Sequence, residues 1–135
     1  MEGGTIPHKM LSLDPFSQWL GIEIVSSEIG NVVLGLKVRK EMLNSMGKAH
    51  GGITYALADT AFGFTANTHG KYAVSIETSI NHIEAIEEGD YLRATATLDL
   101  QKTKLGFNIV EVTRNNELVA LFKGVVYRTS KDWTE

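Results

Sequence analysis

A chain of 135 residues, 43% hydrophobic and 21% charged, has the size and composition of one globular domain. Its net charge of -3 excludes a global positive field of the kind that condenses on nucleic acid or an anionic membrane. With no cysteine, disulfides, thiolate metal sites and a cysteine nucleophile are excluded. The opening MEGGTIPHKMLSLDPF lacks the basic start and apolar core of a signal peptide, so a cytoplasmic protein is expected.

In chain order, the first element read is a short helix in LDPFSQWLGIEI, with Asp14 as N-cap, Pro15 at the first helical position and Gly21 ending it. NVVLGLKV (31–38) reads as a strand, and KEMLNSMGKAHGG as a loop rich in Gly, Asn and Ser. GITYALADTAFGFTANTHG reads as a helix of about four to five turns that closes near Gly70. Four strand-like runs follow: AVSIETSINHI, YLRATATLDLQKT, GFNIVEVTR and ELVALFKGVVYR.

The second run alternates, with Leu92, Ala94, Ala96, Leu98 and Leu100 on one face and Arg93, Thr95, Thr97, Asp99 and Gln101 on the other. ELVALFKGVVY is apolar on both faces, which predicts a strand inside a sheet covered on both sides. Lys104-Leu105-Gly106 and Asn115-Asn116 suit hairpin turns, the latter because Asn tolerates positive φ. The fold class is therefore α+β, with one long helix and a bent antiparallel sheet able to wrap it.

On that helix Ile53, Leu57, Thr60, Ala61 and Phe64 fall on one stripe, and Tyr55, Asp59, Phe62 and Ala66 on the opposite one. A helix apolar all round is buried all round, so Asp59 is expected to be desolvated or at a subunit contact. It is either a buried acid satisfied by backbone donors or a distant cation, or a functional carboxylate. His50-Gly51-Gly52 precedes the helix. Unpaired N–H groups and a positive dipole end there can polarise a carbonyl, although a loop that needs glycine for its turn reads the same way. Asn44 supplies a side-chain donor or makes a turn.

His50-Gly51-Gly52 followed by Leu57-Ala58-Asp59-Thr60-Ala61-Phe62 resembles the signature of the hotdog-fold acyl-CoA thioesterases, in the PaaI-like branch of the 4-hydroxybenzoyl-CoA thioesterase superfamily. Ala73-Val74-Ser75-Ile76, Glu88-Gly89-Asp90 and Val119-Ala120-Leu121-Phe122-Lys123-Gly124 extend the resemblance over a core of about 14–128 within a single domain, 1–135. It implies a helix wrapped by the sheet. It also implies that Asn44 and His50 shape the site, that Gly51 gives an oxyanion N–H, that Asp59 is nucleophile or general base, and that Ser75 positions water. The implied substrate is an aryl-CoA of phenylacetyl or hydroxybenzoyl type, or a short acyl-CoA, with no cofactor. A non-catalytic acyl-CoA sensor and a hydratase or dehydratase are the alternatives on the same fold.

Gly51 and Asp59 are eight residues apart, about 12 Å of helical rise, so one carbonyl cannot meet both in one chain. A homodimer, or a homotetramer of dimers, is expected to supply the second group. Neither GxxxxGK[ST], GxGxxG, GxSxG nor HExxH occurs. Lys48, Lys102, Lys104 and Arg128 are the candidate cations for the CoA phosphates.

Overall fold

The computed structural model describes residues 2–133. A 3-10 turn at Gly3–Thr5 leads into α1, Ile6–Ser12, and α2, Pro15–Leu20. The Asp14 carboxylate accepts from the backbone N–H of Ser17 at 3.0 Å, which caps α2. Gly21 ends it in the left-handed conformation at φ 81°. β1, Glu23–Glu28, turns at Gly30 into β2, Asn31–Lys37. Neither α1 nor β1 was read from the sequence, because α1 ends two residues before the next cap and β1 carries almost no buried side chains.

After the loop comes α3, Gly51–Asn67, and then β3, Lys71–His82, β4, Tyr91–Gln101, β5, Leu105–Arg114, and β6, Glu117–Asp132. The six strands form one antiparallel sheet in the order β1-β2-β4-β5-β6-β3. Helix α3 lies on one face and touches β2 through β6, which is the α+β arrangement expected. Among the described residues, no helix is long and apolar enough to cross a membrane.

The core is the meeting of α3 with that face. Val32, Leu34, Leu92, Ala94, Ala96, Val110, Val112, Ala120, Phe122 and Val126 are fully enclosed with Leu57, Ala58, Ala61 and Phe62 of the helix. The alternation read in β4 holds through Ala96 and then fails. A bulge between Leu98 and Leu100 slips the register and leaves Leu100 exposed. Between β4 and β5 the turn is made by residues 102–104, closed by Lys102 N–H donating to the Leu105 carbonyl at 2.7 Å. Leu105 and Gly106 already pair with Tyr127 and Val126. Asn115 and Asn116, at φ 50° and 66°, make the hairpin into β6 as expected.

Two expectations need correction. β6 buries the consecutive Val119 and Ala120 and from there alternate residues, with Phe122, Gly124 and Val126 enclosed while Lys123 and Tyr127 are exposed. Its second apolar face, with Leu121 and Val125, is only partly covered within the chain. Likewise α3 is not sheathed all round. Its flank of Gly52, Ala56, Asp59, Thr60 and Gly63 borders a cavity.

Close packing is tightest where Phe62 lies over Gly124. A methyl group on that glycine would stand 2.6 to 2.8 Å from three carbons of the ring, and the ring is held 5.4 Å from Phe122. Gly124→Ala is therefore expected to destabilise the protein by about 1–3 kcal/mol. Urea denaturation checks it, with a lower midpoint at unchanged slope as the expected result.

Candidate active site

The loop that enters α3 is built around Asn44. Its Oδ1 accepts from the backbone N–H groups of Met46 at 2.9 Å and Lys48 at 3.2 Å. Two donors aimed at one atom fix that atom as the oxygen, so Nδ2 is left as a donor. His50 is exposed and caps the helix. Its Nδ1 accepts from the Gly52 N–H at 2.8 Å, which leaves Nε2 as the nitrogen free to donate. The His50 carbonyl accepts from the Ile53 N–H at 2.9 Å. Gly51, the first helical residue, has no intrahelical acceptor for its own N–H. Side-chain capping of Gly52 thus leaves the Gly51 N–H as the group presented outward.

Gly51 and Asn44 open on a shared cavity of about 340 Å³ with Lys48, Thr54 and His82. Residues 83–86 form its far wall, tied down from both sides. The Ala49 N–H donates to the Ile86 carbonyl at 2.8 Å, and Arg114 donates to the Ala85 carbonyl at 2.8 Å and to Asp90 at 2.9 Å. His82 was missed by sequence reasoning. Its ring stands 3.3 Å from where a Gly51 side chain would begin. Strand alternation from Thr78 and Ile80 would have placed it on the helix side.

Asp59 is two turns further along, in a different cavity of about 510 Å³ between α3 and the N-terminal helices. It is half-buried, and desolvation by that burial raises its pKa above the ordinary 3.8. One turn before it, Tyr55 shares a hydrogen bond of 2.6 Å with Thr78 of β3 and packs edge-on against Phe122. Of the three helix aromatics, Tyr55 and Phe64 line the Asp59 cavity, whereas Phe62 belongs wholly to the core.

Ser75 sits apart from both cavities. It is exposed on β3 beside the bulge between Ser75 and Glu77, and β3 is an edge of the sheet. The structure therefore brings Asn44, His50 and Gly51 together and keeps Asp59 and Ser75 away from them.

The four cations also separate. Lys48 pairs with Glu87. Arg128 is 7% exposed and donates to the Lys102 carbonyl at 2.8 Å, so it clamps the β4–β5 turn. Lys102 and Lys104 are exposed on that turn.

Residues 46–120 match the Thioesterase superfamily. The chain is 36% identical to the acyl-coenzyme A thioesterase PaaI of Escherichia coli, over 90% of this chain and 87% of that one. It is 31% identical to human acyl-coenzyme A thioesterase 13, over 73% of this chain and 72% of that one. The structure of the Escherichia coli PaaI protein, from the phenylacetic acid degradation operon, superposes with a TM-score of 0.94 at 33% identity, covering 96% of this chain and 95% of that one. A Streptococcus mutans protein solved bound to acetyl CoA superposes with a TM-score of 0.79 at 28% identity, covering 82% of this chain and 90% of that one.

Fold and sequence together define a thioester hydrolase of the hotdog fold. The chain belongs to the Thioesterase superfamily, in its PaaI-like branch.

The desolvated carboxylate has a measurable consequence. A folded-state pKa above the unfolded value means that the folded protein binds the proton more tightly. Ionised Asp59 therefore opposes folding at neutral pH, and the penalty fades as pH falls through the raised value. Asp59→Asn is expected to raise Tm at pH 7, with the gain over the parent shrinking toward pH 4. Thermal melts across that range check it; a variant that melts lower than the parent at pH 7 would show that the carboxylate is held by favourable contacts.

Proposed function

We propose that this protein hydrolyses the thioester of a small aryl- or short acyl-CoA to the free acid and CoA, acting in the cytoplasm as a homodimer or as a tetramer of two such dimers. The observation that carries the reading is the uncapped Gly51 N–H at the start of an apolar helix whose desolvated carboxylate, Asp59, opens on a separate cavity. What the relatives are said to do supports the substrate class. One comes from a phenylacetic acid degradation operon and another was solved with acetyl CoA.

In this reading the substrate carbonyl oxygen accepts from Gly51 N–H and from Asn44 Nδ2, which stabilise the charge that develops there. His50 acts by holding Gly52 in place rather than as a base. Asp59 of the partner copy reaches the thioester carbon, and Ser75 on the edge strand orients the water. Two routes fit. In one the carboxylate attacks, the C–S bond breaks, CoA leaves as thiolate and water cleaves the resulting anhydride. In the other Asp59 takes a proton from the attacking water.

The second copy is supported by β3, a strand of 12 residues at the open edge of the sheet, with Val74 and Ile76 exposed. Such an edge is a template for pairing with another chain. No metal or organic cofactor is part of the proposal; activity lost to EDTA and regained with zinc would overturn that.

The test uses Gly51→Pro. Proline is accepted at the first helical position, and the preceding His50 already has the extended ψ of 136° that it requires. The change deletes the N–H while keeping the helix. Activity is expected to fall roughly 100- to 1,000-fold, and in Asp59→Ala by about 100-fold or more. Mixing the two under subunit exchange creates heterodimers with one intact site, so recovery to about a quarter of wild type is expected. No recovery in proven heterodimers would mean that both groups act within one chain.

A further inference from the structure

The cavity that holds Asp59 has a composition that decides which half of a CoA thioester can enter it. Its lining includes two carboxylates, Asp14 and Asp59, and no Lys, Arg or His. A nucleotide phosphate is repelled from such a place, so the half that enters is the acyl group. The rest of the lining agrees, with Met10 and Phe16 from the N-terminal helices facing Tyr55, Ala56 and Phe64 of α3. Asp14 does not soften the site, since its carboxylate is occupied by the N–H of Ser17 at 3.0 Å and its hydroxyl at 2.7 Å.

Beside this cavity lies a second one, of about 300 Å³, with Trp19, Leu20, Met42 and Ile53 as apolar wall and Glu41 and His50 as its ionisable groups. The two share Phe16 and Gly52. Gly52 has no side chain, so the Phe16 ring is the one side chain common to both. Phe16 is 53% exposed and leans on Trp19 with ring centroids 6.2 Å apart. It is not part of the core, and a half-exposed aromatic at a cavity junction needs a reason to be there.

We propose that α2, through Phe16, is the acyl-selecting wall of the active site: the ring closes the Asp59 cavity against the second one, stopping a compact aryl group in place and blocking a linear chain. The inference rests on the thioesterase reading above and adds the residue that sets its substrate class. An aromatic acyl group packs against Phe16, Tyr55 and Phe64 without passing the junction. A linear acyl chain of eight carbons must either fold back or displace the ring to reach the second cavity.

The test is the ratio of kcat/KM for octanoyl-CoA to that for phenylacetyl-CoA, in the parent and in Phe16→Ala, with Phe16→Leu as a second variant that keeps apolar bulk. The ratio is expected to rise roughly 16- to 64-fold in Phe16→Ala, as for two or three further methylenes buried at about fourfold each, and less in Phe16→Leu. Leu13→Ala, an exposed position in neither cavity, is expected to leave it unchanged. Binding of octanamide and phenylacetamide, neutral probes of the acyl half, is measured by calorimetry on the same variants and is expected to shift in the same direction. If both thioesters are hydrolysed and the ratio stays within twofold of the parent, the wall is overturned and the thioesterase reading stands. If no CoA thioester is hydrolysed by any form, the thioesterase reading fails, and the amide affinities alone decide the wall: an unmoved ratio overturns it.

Discussion

Everything else in the molecule depends on placing one apolar helix against one face of a sheet. Apart from the flank that carries Asp59 and Thr60, helix α3 is apolar and needs strand side chains along its length, and Phe62 seated over Gly124 fixes its height above β6. Both ends are then pinned. At the start His50 caps Gly52. At the end Asn67 donates to the Gly63 and Ala73 carbonyls at 2.7 and 3.1 Å and accepts from the Ala73 N–H at 3.0 Å and the Trp133 indole N–H at 2.6 Å. A helix held at both ends and through its middle carries the Gly51 N–H and the Asp59 carboxylate as fixed points.

The same burial creates a conflict at Asp59. An acid on this helix is more costly than an apolar residue, because desolvation disfavours its charged form and no cation in the chain pairs with it among the described residues. The flank it occupies is the one the sheet does not cover, so the protein leaves its costly residue beside a cavity rather than inside the core. At the far end of α3, His69 is likewise desolvated and sits near Arg128, and both effects lower its pKa. Its Nε2 is buried without a hydrogen-bond partner among the described residues, and no cavity of the proposed site reaches it.

Local chemistry made part of this legible in the sequence. The Asp14, Pro15 and Gly21 punctuation of α2, the body of α3 and the Asn115-Asn116 hairpin all follow from rules that act within a few residues, whereas α3 ends at Asn67 rather than near Gly70 and Lys40–Met42 form a 3-10 turn within the expected loop. What escaped depends on distant partners. The bulge at Leu98 and Leu100 is set by pairing with Asn108 and Phe107, and it undoes an alternation that looked unbroken. The apolar outer face of β6 predicted a cover that this chain supplies only in part. Asp59 could be picked out because it interrupts an apolar pattern, and His50 and Gly51 because they stand at a helix start, whereas His82 marks neither and reaches Gly51 by strand register alone.

The separation of Gly51 from Asp59 follows from the helix geometry. A straight, rigid helix that presents an N–H at its first residue and a carboxylate eight residues later separates them by about 12 Å, and no loop motion can close that gap without unwinding the core. A flexible site could bring its own groups together; this one cannot, because the packing that makes each group precise also fixes the distance between them. The proposed dimer meets that constraint by repetition. Two copies joined along β3 would each offer a carboxylate cavity and an N–H cavity, and the acyl half would enter the former while the carbonyl oxygen meets the latter. On that arrangement the open edge of the sheet and the uncovered flank of α3 have one cause: both are surfaces that a single chain leaves incomplete.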